Sequence, residues 1–85
     1  MYALFYANKR VEKILRTHIH ARSDIMLKLD RLREHPRKSL GAHKLHGKLF
    51  GKWSAWLGSN IRIVYIIDDA NNILWVETVG SHKVY

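Results

Sequence analysis

The sequence predicts an α+β fold in the order β-α-α-β-β-β, an antiparallel-rich sheet with a helical hairpin on one face. Three observations carry that prediction. A brief aromatic run opens the chain, residues 9–34 place apolar side chains at helical spacing, and residues 50–79 form short β-type runs divided by turn formers.

Tyr2 to Tyr6 reads as the first strand. Asn8 suits a helix N-cap, and Val11, Ile14 and Leu15 then form a stripe that His18 or Ile19 continues. A second helix runs from about Ser23, with Ile25, Leu29 and Leu32 inward and Met26 beside them, while Lys28, Asp30, Arg31 and Arg33 face solvent. A bend near Ile19–Arg22 separates the two. Pro36 disfavours helical backbone at His35 and closes the segment. Residues 37–49 carry two glycines and no sustained period, so they read as a loop. FGKWSAWL, IRIVYIID and ILWVETV, joined by GSN and DANN, then read as a three-strand meander, with Gly80 ending the last strand and SHKVY as a tail.

The chain has 85 residues, 47% of them hydrophobic, which predicts one folded domain over residues 1–85. It contains no cysteine, so disulfides and thiolate metal sites are excluded. MYALFY has no basic segment before it and reads as a strand rather than a signal peptide, and no apolar run reaches the ~20 residues of a membrane span. A cytoplasmic location is expected. Fifteen Lys and Arg against seven Asp and Glu give a net charge of +8, which favours phosphate-rich or acidic partners. No basic helix carries the Trp/Phe face of a membrane anchor, so no membrane partner is expected.

Alternation divides the sheet into two faces. Trp53, Ala55, Leu57, Ile61, Ile63, Tyr65 and Ile67 form an apolar set that should pack on the helices. The open face then holds Lys52, Ser54, Trp56, Arg62, Val64 and Ile66, with Trp75 and Glu77 alongside. Hairpins closing at GSN and DANN place Arg62 between Trp56 and Val79, with Gly80–His82 nearby. A guanidinium, a lysine and two indoles on one open surface suit single-stranded RNA, and a protein-binding groove uses the same residue types. Arg62 is also positioned to be a sheet-surface cation paired with Glu77. His18 and His20 point different ways on a helix, and His43 and His46 lack a third ligand, so neither a metal site nor a cofactor is expected.

The stretch H-K-L-x-G-x-L-x-G-x-W-S from His43 to Ser54, then R-I-V-Y at Arg62–Tyr65 and V-G-S-H-K-V-Y at the end, resembles the RelE/ParE toxin superfamily, closest to its RelE, YoeB and YafQ branch. The resemblance spans the whole chain and implies a RelE-like fold. It implies a type II toxin, an endoribonuclease that cuts ribosome-bound mRNA without metal and inhibits translation. It also implies a co-encoded acidic antitoxin, and a complex that meets operator DNA through that antitoxin.

By the same resemblance, Arg62 would hold the scissile phosphate, His82 would serve as acid or base, Tyr85 would orient or stack on a nucleotide, and His43 matches a histidine of the YafQ-like branch. The RelE branch proper places two lysines where this chain has Ser54 and Trp56. Lys44, Lys48 and Lys52 are the candidate substitutes in substrate binding, which favours a histidine-based mechanism. The competing reading is a ParE-like inhibitor of DNA gyrase on the same fold, with no nuclease activity. A non-catalytic basic module that binds RNA or an acidic protein by charge is a third.

Overall fold

Asn8 starts the first helix as its sequence requires: the Oδ1 atom accepts the Val11 N–H at 2.9 Å, satisfying one of the donors that a helix start leaves unpaired. The computed structural model describes residues 1–58 and 60–80. Strand β1 spans Ala3–Tyr6, and helix α1 runs over Lys9–Ala21. Arg22 then takes extended backbone (φ −141°, ψ 117°), which breaks the helix where the bend was expected, and α2 follows over Ser23–Glu34. Pro36 stands just past the α2 cap at His35.

Among the described residues the remaining strands are β2 (His43–Lys44), β3 (Trp53–Trp56), β4 (Arg62–Asp68) and β5 (Ile73–Gly80), with a 3₁₀ turn at Gly47–Leu49. They form one sheet in the order β1-β5-β4-β3-β2. Every adjacent pair is antiparallel except β1 with β5, which is parallel with Leu4 beside Leu74. The α+β class, the helical pair and the meander are therefore as the sequence predicts. Residues 37–49 differ, because they contain β2 and the 3₁₀ turn rather than loop alone. A two-residue strand is too short to show a period, and main-chain pairing with β3 is what creates it.

The core lies between the helices and one sheet face. Val11, Leu15, Ile25, Leu29 and Leu32 meet Ala55, Leu57, Ile61, Ile63, Tyr65, Leu74, Val76 and Val79, with Trp53 and Ile67 half-buried at its margin. Met26, expected beside the inward stripe, is exposed. Its position turns it off the Ile25–Leu29–Leu32 face.

One irregularity sets the position of the open face. Tyr65 pairs with Val76 while Val64 pairs with Thr78, so Glu77 is an extra residue in β5. The bulge lets Leu74, Val76 and Val79 all reach the core despite their uneven spacing. It also shifts every later pair by one, so Arg62 lies between Trp56 and Gly80, not Val79 as uninterrupted alternation predicts.

Candidate functional site

Arg62 is the centre of the open face. It is only 6% exposed, and its Nε donates to the Ser54 Oγ at 2.8 Å while Nη2 donates to the same oxygen. Its guanidinium lies 4.1 Å from the ring centroid of Trp56, its cross-strand neighbour. A planar cation over an indole, tied to a buried hydroxyl, has almost no rotamer freedom left. A grip on phosphate through Nε and Nη2 together therefore requires Ser54 to be displaced.

His43 completes the group from the edge strand. Its pairing with Ser54 puts both side chains on the open face. The Nε2 atom lies 3.4 Å from Arg62 Nη2, and Nδ1 lies 3.1 Å from the Gly41 carbonyl oxygen. A carbonyl only accepts and a guanidinium only donates, so these contacts fit the neutral tautomer with the proton on Nδ1. That leaves the lone pair on Nε2, beside a fixed positive charge.

The backbone before His43 is contorted in a way the sequence does not announce. Leu40 and Gly41 both have left-handed backbone, with φ of 55° and 67°. Leucine adopts this region rarely, and such strain gathers at sites where it aims functional groups. Here the Leu40 carbonyl accepts the Trp56 N–H at 2.9 Å and the Gly41 carbonyl holds His43. A Cβ on Gly41 would come 3.4 Å from Trp56 Cδ1. The pair at 40–41 thus holds the histidine ring and the Trp56 backbone, and only the S-L-G-A-H spelling hints at it.

The three lysines part company. Lys52 shares the open face and pairs with Glu77 at 2.9 Å, so Glu77 is matched with lysine rather than with Arg62. Lys44, one residue beyond His43, turns to the opposite face and lies 5.8 Å from the Trp53 centroid. Alternation along β2 therefore removes it from the Arg62 group. Lys48 sits on the 3₁₀ turn and is exposed. His82 and Tyr85 lie outside the described residues. Among the described residues, no three His, Asp or Glu side chains come together as metal ligands, and no helix is long and apolar enough to cross a membrane.

No protein-family model matches the sequence, and neither does any curated protein sequence. Solved structures do match. A chain of the YoeB–YefM complex from Staphylococcus aureus superposes with a TM-score of 0.75 at 16% identity, covering 96% of this chain and 98% of that one. YafQ from E. coli BL21(DE3) gives 0.67 at 16% identity, with 96% and 94% covered. The RelBE2 toxin–antitoxin complex from Mycobacterium tuberculosis gives 0.71 at 22% identity, with 95% and 98% covered. The fold is that of the RelE/YoeB toxins. In this RelE/YoeB-type sheet the Arg62 group occupies the face that the helices leave uncovered, at the β2–β3–β4 side.

Proposed function

We infer that this chain is the toxin of a type II toxin–antitoxin pair and an endoribonuclease that cuts mRNA. The observation that carries this reading is the His43–Arg62 contact, an imidazole nitrogen with its lone pair directed at a fixed guanidinium on an open, basic surface. The fold shared with YoeB, YafQ and RelBE2 supports it.

The chemistry needs few parts. The entering phosphate draws the Arg62 Nη2 donor off His43 Nε2; the freed lone pair takes the proton of a ribose 2′-OH, and the resulting oxygen attacks the adjacent phosphorus. Arg62 steadies the negative charge gathering on the phosphorane oxygens. The bond to the 5′-oxygen breaks, a second acid gives that oxygen a proton, and the products are a 2′,3′-cyclic phosphate and a 5′-hydroxyl. His82 carries the expectation for that acid from the sequence. Lys52 and Trp56 line the approach of the strand on the same face, and the ribosome presents the message.

The antitoxin fits the other side of the molecule. A recess of about 320 Å³ between β1 and the helices is lined by Leu4, Tyr6, Ile19, Met26 and Leu29, with Arg16 and His20 at its rim. An amphipathic segment that folds on binding matches the apolar floor, and the net charge of +8 favours an acidic one. The resulting complex would meet operator DNA through the antitoxin.

Primer extension after induction tests the nuclease. Wild type should produce new cuts within translated messages, and His43→Ala should reduce cutting roughly a hundred- to ten-thousand-fold, the usual loss for an acid–base group. Intact messages in arrested cells, together with failing DNA supercoiling, would transfer the reading to gyrase inhibition.

A further inference from the structure

On the reverse side of β2 from His43, the chain builds a second site. A recess of about 400 Å³ is lined by Lys44, Leu45, His46, Phe50, Gly51 and Trp53. Leu45 is buried beneath it, while Phe50 is 76% exposed, the largest exposure among the described aromatic and large aliphatic side chains. An aromatic ring held in water by a folded loop calls for an explanation.

The loop is built rather than slack. Leu45 N–H donates to the Lys52 carbonyl, Leu49 N–H to His46, Phe50 N–H to Gly47 and Lys52 N–H to Leu49, all between 2.9 and 3.3 Å. Gly47 and Gly51 supply the positive φ values, 67° and 91°, that the successive turns require. A Cβ at either glycine would meet nothing within 4 Å, so backbone conformation rather than crowding selects glycine. Phe50 is thereby presented at the rim while Trp53 forms another wall.

The charge around the recess is of one sign. Residues 37–52 contain five Lys and Arg, two His and no Asp or Glu. Arg37 and Lys52 have carboxylate partners in Asp69 and Glu77. Lys44 lies over the Trp53 ring, and among the described residues no carboxylate pairs with Lys44 or Lys48.

We propose that this recess is a nucleobase pocket for single-stranded RNA, in which a base turned out of the strand stacks on Phe50 against the Trp53 wall and its phosphates lie along Lys44 and Lys48. Aromatic rings interleaved with cations are how proteins hold unpaired bases, and a strand crossing the two-residue β2 passes from His43 on one face to this pocket on the other. The pocket therefore holds a nucleotide flanking the cut, and it rests on the RNA-cutting reading only for the identity of the strand. An acidic protein segment would meet the same ring and the same cations, and the antitoxin arm of the test distinguishes it from RNA.

The test separates binding from cleavage. A short fluorescein-labelled 2′-O-methyl oligoribonucleotide lacks the nucleophile and stays intact, so anisotropy reads affinity alone. Phe50→Ala should weaken binding about ten-fold, within the range measured for one stacked base, and Phe50→Trp should restore it. Lys44→Ala should lower the salt dependence, whereas Leu27→Ala, on the exposed side of α2, should change nothing. Unchanged affinity in Phe50→Ala overturns the pocket even if natural RNA is still cut. Loss of antitoxin binding in Phe50→Ala with RNA affinity intact also overturns it, in favour of a protein contact. If wild type binds through Phe50 yet cuts no natural RNA, the pocket stands and the nuclease reading alone falls.

Discussion

The Arg62 guanidinium stacks on the Trp56 ring at 4.1 Å while Nε and Nη2 both bond to the Ser54 hydroxyl, so one cation is fixed by an aromatic face and a buried oxygen at once. Arg62→Lys keeps the charge but cannot reproduce that planar fit. Cutting should fall by roughly 10²–10³, as when one transition-state donor is removed. Circular dichroism should show the fold retained in Arg62→Lys, with primer extension showing the loss.

Lys52 and Glu77 meet at 2.9 Å on the same face, so part of its positive field is cancelled. Glu77→Gln should release Lys52 to phosphate and raise affinity for single-stranded RNA. The salt dependence should steepen by about 0.7 in log–log slope, the contribution of one additional phosphate contact. Titrations at several salt concentrations read both quantities.

Asp69 accepts from Arg37 Nη2 at 2.7 Å and also from the Tyr2 hydroxyl, tying the chain start, the segment after α2 and the β4–β5 turn together. Arg37 first, then Tyr2, hold its carboxyl below the ordinary carboxylate range. A lowered folded value means the stabilisation is present above the unfolded value near 3.9 and is lost as pH falls through the folded one. Asp69→Asn should therefore melt below wild type at pH 7, with the gap closing on acidification. Thermal melts across that range check it.

The Tyr65 hydroxyl donates to the Pro36 carbonyl from a fully buried ring, and burial pushes the phenol well above its usual value. Because the folded value is raised, the bond contributes fully below the unfolded value near 10 and is lost only as pH climbs through the folded one. Tyr65→Phe strands a buried carbonyl and should cost about 1–3 kcal/mol. At roughly 4–8 °C per kcal/mol for a domain of this size, the melting temperature should drop visibly at pH 7.

Much of this was readable because it is local. The Asn8 cap, the Val11–Leu15 and Ile25–Leu29–Leu32 stripes and the Pro36 stop each follow from spacing within one turn or two. Alternation also assigned Trp53, Ala55, Ile63 and Tyr65 to the helix side and Ser54, Trp56 and Arg62 to the open side. The failures were non-local. Nothing in ILWVETV marks Glu77 as a bulge, because the extra residue is defined only against β4. The parallel seat of β1 on β5 depends on the whole fold, and β2 exists only by virtue of β3. His43 could be named from resemblance, yet its approach to Arg62 relies on left-handed Leu40, which no propensity anticipates.

The parallel seat of β1 shapes the order in which the molecule assembles. Leu4 lies against Leu74, and in sequence both helices and the other strands stand between them. Helices and hairpins close over short spans, whereas this pairing closes a long one, and such closure is slow. A half-assembled molecule therefore shows the bare edge of β5 to its surroundings until β1 arrives to cover it.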